Sequence, residues 1–389
     1  MITQTTPPKP RFQTERVFTI VGGHFIHDIY TAFLAPLLPL IIERLSLSFT
    51  LAGGLTWALN LPAVLNPFIG YLADRLSVRY FVILAPAVSA TLMSMLGLAP
   101  DYLTLFTLLL LVGVSIAAFH APAPAMIGRM SGNQVGKGMS LFMAAGELGR
   151  TVGPLIAVWA VSTWTLSGFY RVMVIGWAAS LLLYWRLRQI PARTEKPQQI
   201  SGLMRAAKRL FIPLFIMVIF RDFLLTCLSV FLPTFLKTEG ASLWAAGAAL
   251  AIWEFAGVGG ALASGILSDR IGRKPLLFAA IASSAVIMLL FLNVSTSLFV
   301  PTLLALGFTS LSTGPVTLAI VQDHFPDNRA TANGLFLSVV FLIRPVSAAA
   351  VGLMGDHFGL RAAFTWSALI ALLALPAIFW LPDSRAERD

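Results

Sequence analysis

The chain has 389 residues, of which 57% are hydrophobic and 11% charged, where an average soluble domain carries roughly a quarter charged residues. That composition excludes an ordinary soluble core, and the apolar residues fall in blocks that match the roughly 20 residues a helix needs to cross the hydrocarbon of a bilayer. The net charge of +10 does not indicate nucleic acid, because the basic residues sit in short gaps between apolar blocks and form no patch interleaved with aromatics; the single cysteine, Cys227, excludes internal disulfides and cysteine-based metal sites.

The first fifteen residues are polar and Pro-containing, with no apolar core before a small-residue cleavage site, so no cleaved signal peptide is expected. Apolar blocks then run at 17–43, 50–74, 80–99, 103–127, 138–162, 167–186, 211–236, 243–268, 275–293, 297–321, 332–355 and 361–382, predicting an all-α integral membrane protein of twelve transmembrane helices. The polar stretch 187–210, with Arg188, Arg193, Lys196, Arg205, Lys208 and Arg209, reads as a basic linker between an N-terminal six-helix bundle (1–186) and a C-terminal one (211–389). Twenty Lys and Arg lie on the side of the termini and linker, against Arg44, Arg171, Lys237 and Arg361 on the other. Both termini and the linker are therefore expected in the cytoplasm, as for a multi-pass protein of a bacterial inner membrane.

The remaining basic residues, Arg150, Arg221 and Arg344, lie inside apolar blocks together with several acids and histidines. A charge at the bilayer centre costs at least ~2.5–3.5 kcal/mol on the gentlest scale, so each is expected to face a partner or a wet cavity. Block 1 carries His24, His27 and Asp28; His24 and Asp28 lie four apart on one helical face, and an imidazole beside a carboxylate exchanges protons near neutral pH. Block 4 carries His120, which either joins that chemistry or only bonds a carbonyl freed by the prolines after it. Block 5 carries Glu147 and Arg150, three apart and able to neutralise one another, and then Gly149, Gly153 and Pro154, where small residues four apart allow tight packing and the proline a bend. Block 7 carries Arg221 and Asp222, and block 8 Glu254, with Arg221 able to pair with Glu254 or with Asp28.

Sliding the second half back by about 194 residues brings Asp28 onto Asp222, Pro39 onto Pro233 and Arg150 onto Arg344. With one residue more, Gly70, Asp74, Arg75 and Arg79 meet Gly265, Asp269, Arg270 and Lys274. Six helices separate equivalents, so the halves are parallel repeats about an axis normal to the membrane. The repeat places Arg150 and Arg344 on opposite sides of a shared cavity. Two guanidiniums there repel unless an anion lies between them or each has its own carboxylate, and block 11 offers Arg344 no acid near it.

The two stretches beginning at Gly70 and Gly265 resemble the G-x-x-x-D-R-x-x-R-[RK] loop of the major facilitator superfamily, with Tyr80 departing from it in the first copy and Gly272 preceding Arg273 and Lys274 in the second. The resemblance implies two pseudo-symmetric six-helix bundles around one substrate pathway. It also implies that Gly70, Asp74, Arg75, Arg79, Gly265, Asp269 and Arg270 form a cytoplasmic latch, whereas a loop serving only topology needs its arginines alone. Gly149-x-x-x-Gly153-Pro154 is similar to a motif of the superfamily's drug:proton antiporters. With His24 and His27 before Asp28 and the pair Phe119-His120, the chain resembles the fosmidomycin-resistance branch, although that branch has Phe-His-Pro-Glu where Ala121 and Pro122 follow His120 here.

The function so implied is a proton-coupled antiporter that exports a small anionic or amphipathic compound, such as a phosphonate. Arg150, Arg344, His120, Arg221 and Glu254 are then the candidate substrate contacts, and Asp28, His24, His27, Glu147 and Asp222 the proton carriers. The alternative is a symporter or uniporter importing an organic anion such as a phosphorylated metabolite. An enzyme is not expected: no nucleophile, base and orienting group fall together, no His-Glu-x-x-His occurs and no phosphate-binding glycine loop is present. A sensor would be expected to carry an added soluble domain. The partners expected are the small molecule, protons and lipid, with no cofactor, no metal, no nucleic acid and no need for a second copy.

Overall fold

The computed structural model describes residues 12–65, 78–132, 134–189, 203–325 and 329–382. Ten of its helices are long and apolar enough to cross a membrane. The shorter Phe49–Val64 and the 15-residue Met173–Leu187 complete the expected twelve. Helices are the natural outcome, since each satisfies its own backbone groups where no water is available.

In chain order, α1 is Thr14–Leu45, α2 is Phe49–Asn60 continued by a 3-10 turn at Leu61–Leu65, and α3 is Val78–Ser94. Then come α4 (Tyr102–His120), followed by a short helix Ala123–Met130, α5 (Val135–Trp164) and α6 (Met173–Leu187). The second half holds α7 (Leu203–Thr226, running on to Thr238), α8 (Leu243–Ile271) and α9 (Arg273–Phe291). It ends with α10 (Thr296–Leu311, then Thr313–His324), α11 (Arg329–Phe358) and α12 (Leu360–Leu372, then Leu375–Trp380). Hydroxyl and carboxylate caps start three helices at the end remote from the termini. Ser48, Asp101 and Ser242 accept the backbone N–H groups of Leu51, Thr104 and Ala245 at 3.2, 2.7 and 3.1 Å. The Thr104 N–H holds the Asp101 carboxyl below its ordinary range.

Two of the helix breaks lie just before a proline, although Pro39, Pro86, Pro154, Pro213, Pro301 and Pro345 lie within unbroken helix. Pro36 sits four residues after Ala32, where α1 is interrupted between Thr31 and Leu34; Pro233 sits four after Ser229, inside the π turn Cys227–Phe231 that interrupts α7. The ring of each clashes with the carbonyl four residues back and offers it no N–H. The breaks in α1 and α7, and the stop of α4 and the break of α10 at Ser312, fall within a few residues of repeat-equivalent positions.

The largest buried cluster spans both halves, joining α1 residues Phe33, Leu37 and Leu38 to α7 residues Leu228, Phe231 and Phe235; each half also has a smaller core of its own. Across the repeat, α2 packs on α11, α5 on α8, and the outer part of α1 on that of α7. At the remote end this junction is polar as well as tight. Asp356 of α11 accepts the N–H groups of Phe49 and Thr50 at 2.6 and 2.8 Å and the Thr50 hydroxyl at 2.6 Å.

Candidate functional site

Gly149 and Gly153 bring α5 onto the backbone of α1. A Cβ on Gly149 would lie 2.5 Å from the Phe25 carbonyl oxygen and 3.1 Å from Cβ of Asp28, and one on Gly153 would lie 2.6 Å from the Ile29 carbonyl oxygen. Only residues without a side chain allow that approach. It sets Asp28, buried on α1, against Glu147 and Arg150 on α5.

Four cationic or protonatable groups surround the Asp28 carboxylate. Arg150 Nη1 and His27 Nδ1 are each 3.3 Å from it, His24 Nε2 3.4 Å and His120 Nε2 3.6 Å. Arg150 Nη2 also pairs with Glu147. His24 and His27 are buried, whereas the side chains of His120 and Arg150 are 37% and 38% exposed, so the cluster has a wet face and a dry back. His27 Nε2 continues to the Ser89 hydroxyl at 3.2 Å, which donates to Ser115 at 2.9 Å. Atoms of His24, Asp28 and His120 lie within 4.8 Å of one another, close enough for a metal ion, although Arg150 already shares the carboxylate.

The charges of the two halves meet at Glu254. From α8 it lies within electrostatic range of Arg150 and Glu147 on α5 and of Arg344 on α11. It thereby supplies an acid near Arg344, whose own helix carries Asp356 only twelve residues further on, at its far end. The guanidinium of Arg221 turns to Thr313, donating to its hydroxyl at 2.6 Å, with Asp222 3.9 Å away and Arg344 within electrostatic range. Its expected pairing with Glu254 or Asp28 is not formed, because the α10 hydroxyl and its own neighbour take the guanidinium first. Asp222 is fully buried, touches the Thr226 hydroxyl at 3.4 Å, and has one oxygen with no hydrogen-bond partner among the described residues.

Gly70, Asp74 and Arg75 lie outside the described residues; Arg79 begins α3, its guanidinium 5.1 Å from the centre of the Tyr80 ring. In the second stretch, Asp269 in the last turn of α8 pairs with Arg273 at the start of α9 at 2.6 Å, and Arg273 reaches Asp323 at the end of α10 at 3.2 Å. Arg270 is exposed. Gly265 faces open space, with nothing within 4 Å of where a Cβ would stand, so close helix approach is not what its missing side chain serves.

Sequence reasoning passes over Asp323, Asp356 and the stacking of Phe142 on His24. Phe142 stacks on that imidazole with centroids 3.9 Å apart, and Phe119 lies to its side at 5.5 Å and stacks on His27 at 4.6 Å. No spacing rule points to them, since each lies on a different helix from its partner. A cavity of about 480 Å³ at the remote end, lined by Glu43, Arg44, Thr165 and Leu243 among others, is separate from the charged cluster.

The model of the Major Facilitator Superfamily matches residues 20–292 and again 214–389. The chain is 25% identical over 382 residues to the fosmidomycin resistance protein of Escherichia coli K12, covering 95% of this chain and 94% of that protein. It is 22% identical to the multidrug resistance protein MdtG of Yersinia enterocolitica, with 97% and 95% covered. Its fold is similar to that of a bacterial homologue of the human lysosomal transporter Spinster in an inward-facing, occupied conformation, with a TM-score of 0.80, 17% identity and 99% and 98% covered.

Proposed function

Because the chain belongs to the Major Facilitator Superfamily, we propose that this membrane transporter exports a small organic compound in exchange for protons, by alternating access across a bacterial inner membrane with both termini cytoplasmic. The observation that carries the reading is the convergence on Glu254 of Arg150 and Glu147 from one half and Arg344 from the other. A compound bound there touches both halves, so rocking one against the other re-exposes it on the opposite side. The resistance named for two relatives, the fosmidomycin resistance protein and the multidrug resistance protein MdtG, supports the outward direction.

An anionic group of the compound, carboxylate or phosphonate, occupies the forks of Arg150 and Arg344, with His120 at the wet edge. A donor group on the same compound takes Glu254 and competes there with protons, as do Asp28, His24, His27 and Glu147 through Arg150. Arg221 and Asp222 act at a distance, setting the field around Arg344. The loops after α2 and α8 latch the terminal end, and one copy of the chain suffices. Each charge that crosses the potential supplies about 2.3 kcal/mol per 100 mV, enough to drive export uphill.

Glu254 between two guanidiniums also favours a second reading. Neutralising it releases both arginines to a simple anion, which then binds together with the proton and is co-transported. Thermal-shift binding of phosphonates, carboxylates, sugar phosphates and lipophilic cations at acid and alkaline pH separates the two. A compound whose binding weakens on acidification is exchanged for protons, and one whose binding strengthens is co-transported. Flux of a bound compound in proteoliposomes that ignores every imposed proton gradient would sink both, and stabilisation by cations alone, unchanged in Arg344→Ala, would sink the anion assignment.

A further inference from the structure

We propose that His24 and His120 hold a single proton between their Nε2 atoms, beside the Asp28 carboxylate, and that this is the proton the transporter exchanges. The second half of the statement rests on the reading above; the site itself does not.

The argument starts from what each ring nitrogen touches. His24 Nδ1 is 2.8 Å from the Phe142 carbonyl oxygen, and His120 Nδ1 is 3.0 Å from the Ile116 carbonyl oxygen. A carbonyl only accepts, so both Nδ1 atoms carry hydrogen. A neutral imidazole has one N–H, which leaves a bare lone pair on each Nε2. Those two lone pairs face one another at 3.1 Å, and the Asp28 carboxylate lies 3.4 and 3.6 Å from them. Three acceptors meeting behind a dry wall is a costly arrangement. One proton turns it into an N–H···N hydrogen bond with a carboxylate alongside.

The guanidinium beside the carboxylate favours a proton over a metal. The groups facing the pair are Asp28 and His27 on α1, Glu147 and Arg150 on α5, and Glu254 on α8 through Arg150; among the described residues α3 contributes the Ser89 hydroxyl. His27 lies 3.3 Å from Asp28 through Nδ1 and 3.2 Å from the Ser89 hydroxyl through Nε2. A divalent ion there would add two positive charges next to a guanidinium that already holds the carboxylate.

The surroundings suit an imidazolium that loads and unloads. His24 stacks on the face of Phe142, with centroids 3.9 Å apart and an interplanar angle of 16°, and an aromatic face attracts a cation. The His24 and Asp28 side chains are 4% and 2% exposed, while His120 is 37% exposed, so the proton enters and leaves through His120. Once it has left, Arg150 is the remaining counter-charge of Asp28 and is drawn toward α1 and away from Glu254. Proton occupancy thereby reaches the chamber between the halves.

The test is imidazole ¹⁵N NMR on the purified full chain labelled at its five histidines, titrated from acid to alkaline pH, with His24→Asn, His120→Asn and His27→Asn variants used to assign the signals. The expected result is that the Nε2 signals of His24 and His120 move together with one proton per chain. Either substitution should abolish the joint step, and His27→Asn should preserve it. His120, half-exposed, is the position whose variant keeps the fold. Independent titration of the two rings, or stoichiometric Zn²⁺ binding that shifts both Nε2 signals, overturns the site. A joint titration together with undiminished gradient-driven accumulation by His120→Asn in proteoliposomes leaves the shared proton standing and overturns its role in exchange.

Discussion

Asp28 and Asp222 occupy equivalent places in the two halves, each just before a proline-induced break in the first helix of its repeat, and their surroundings could hardly differ more. Asp28 has an arginine and three histidines within 3.6 Å. Asp222 has one threonine hydroxyl at 3.4 Å and Arg221 at 3.9 Å, beside a cavity of about 10 Å³ lined by Arg221, Ser284, Ser310 and Thr313. That volume is on the scale of one water molecule. Duplication kept the backbone position of the acid and let the chemistry diverge, because what an acid does depends on what neighbouring helices turn toward it. The N-terminal half supplies α4 and α5 residues that can gain and lose a proton; the C-terminal half supplies a fixed arginine held by a hydroxyl.

The sharpest way to break this comparison is to neutralise each acid. Asp28→Ala removes the partner of a buried network and is expected to cost about 3–5 kcal/mol of stability. Asp222→Asn, at a site where one oxygen is already without a partner, should stay within about 1 kcal/mol of the parent. Thermal unfolding in detergent reads both, and equal losses would show the halves to be alike. For transport, Asp28→Asn is expected to lose gradient-driven flux while counterflow exchange partly survives.

A smaller effect separates the glycines of the two motifs. Gly149→Leu forces α5 off the Phe25 carbonyl and should cost about 1–3 kcal/mol. Gly265→Ala meets nothing within 4 Å and should lie within about 0.5 kcal/mol of zero. Comparable destabilisation by both would mean that the second loop packs as tightly as the helix pair.

The smallest expected change concerns the junction between the halves. Asp356→Ala removes the carboxylate that caps α2 from α11 and should cost about 1 kcal/mol. Labelling of a cysteine placed at Thr50 should rise in that background, as the remote end opens more often. Unchanged labelling would show that apolar packing alone holds it shut.

Much of the fold is legible in one dimension. The twelve apolar blocks announce the helices, and the offset between Asp28 and Asp222 announces the duplication. The candidate site was legible by residue type but not by pairing. Arg221 shows why: two acids on other helices stood open to it in the sequence, and it bonds instead to Thr313, 92 residues away.

The sequence alone determined the solvent, the helices and the doubled architecture, because a bilayer forces any long apolar segment to satisfy its backbone within itself, whatever its neighbours are. Only the tertiary structure decided which charges meet. Asp28 and Arg150 are 122 residues apart, and His24 and His120 are 96 apart. Their meeting depends on the rotation of each helix about its own axis, which is set by close contacts such as Gly149 against Phe25, not by any local pattern.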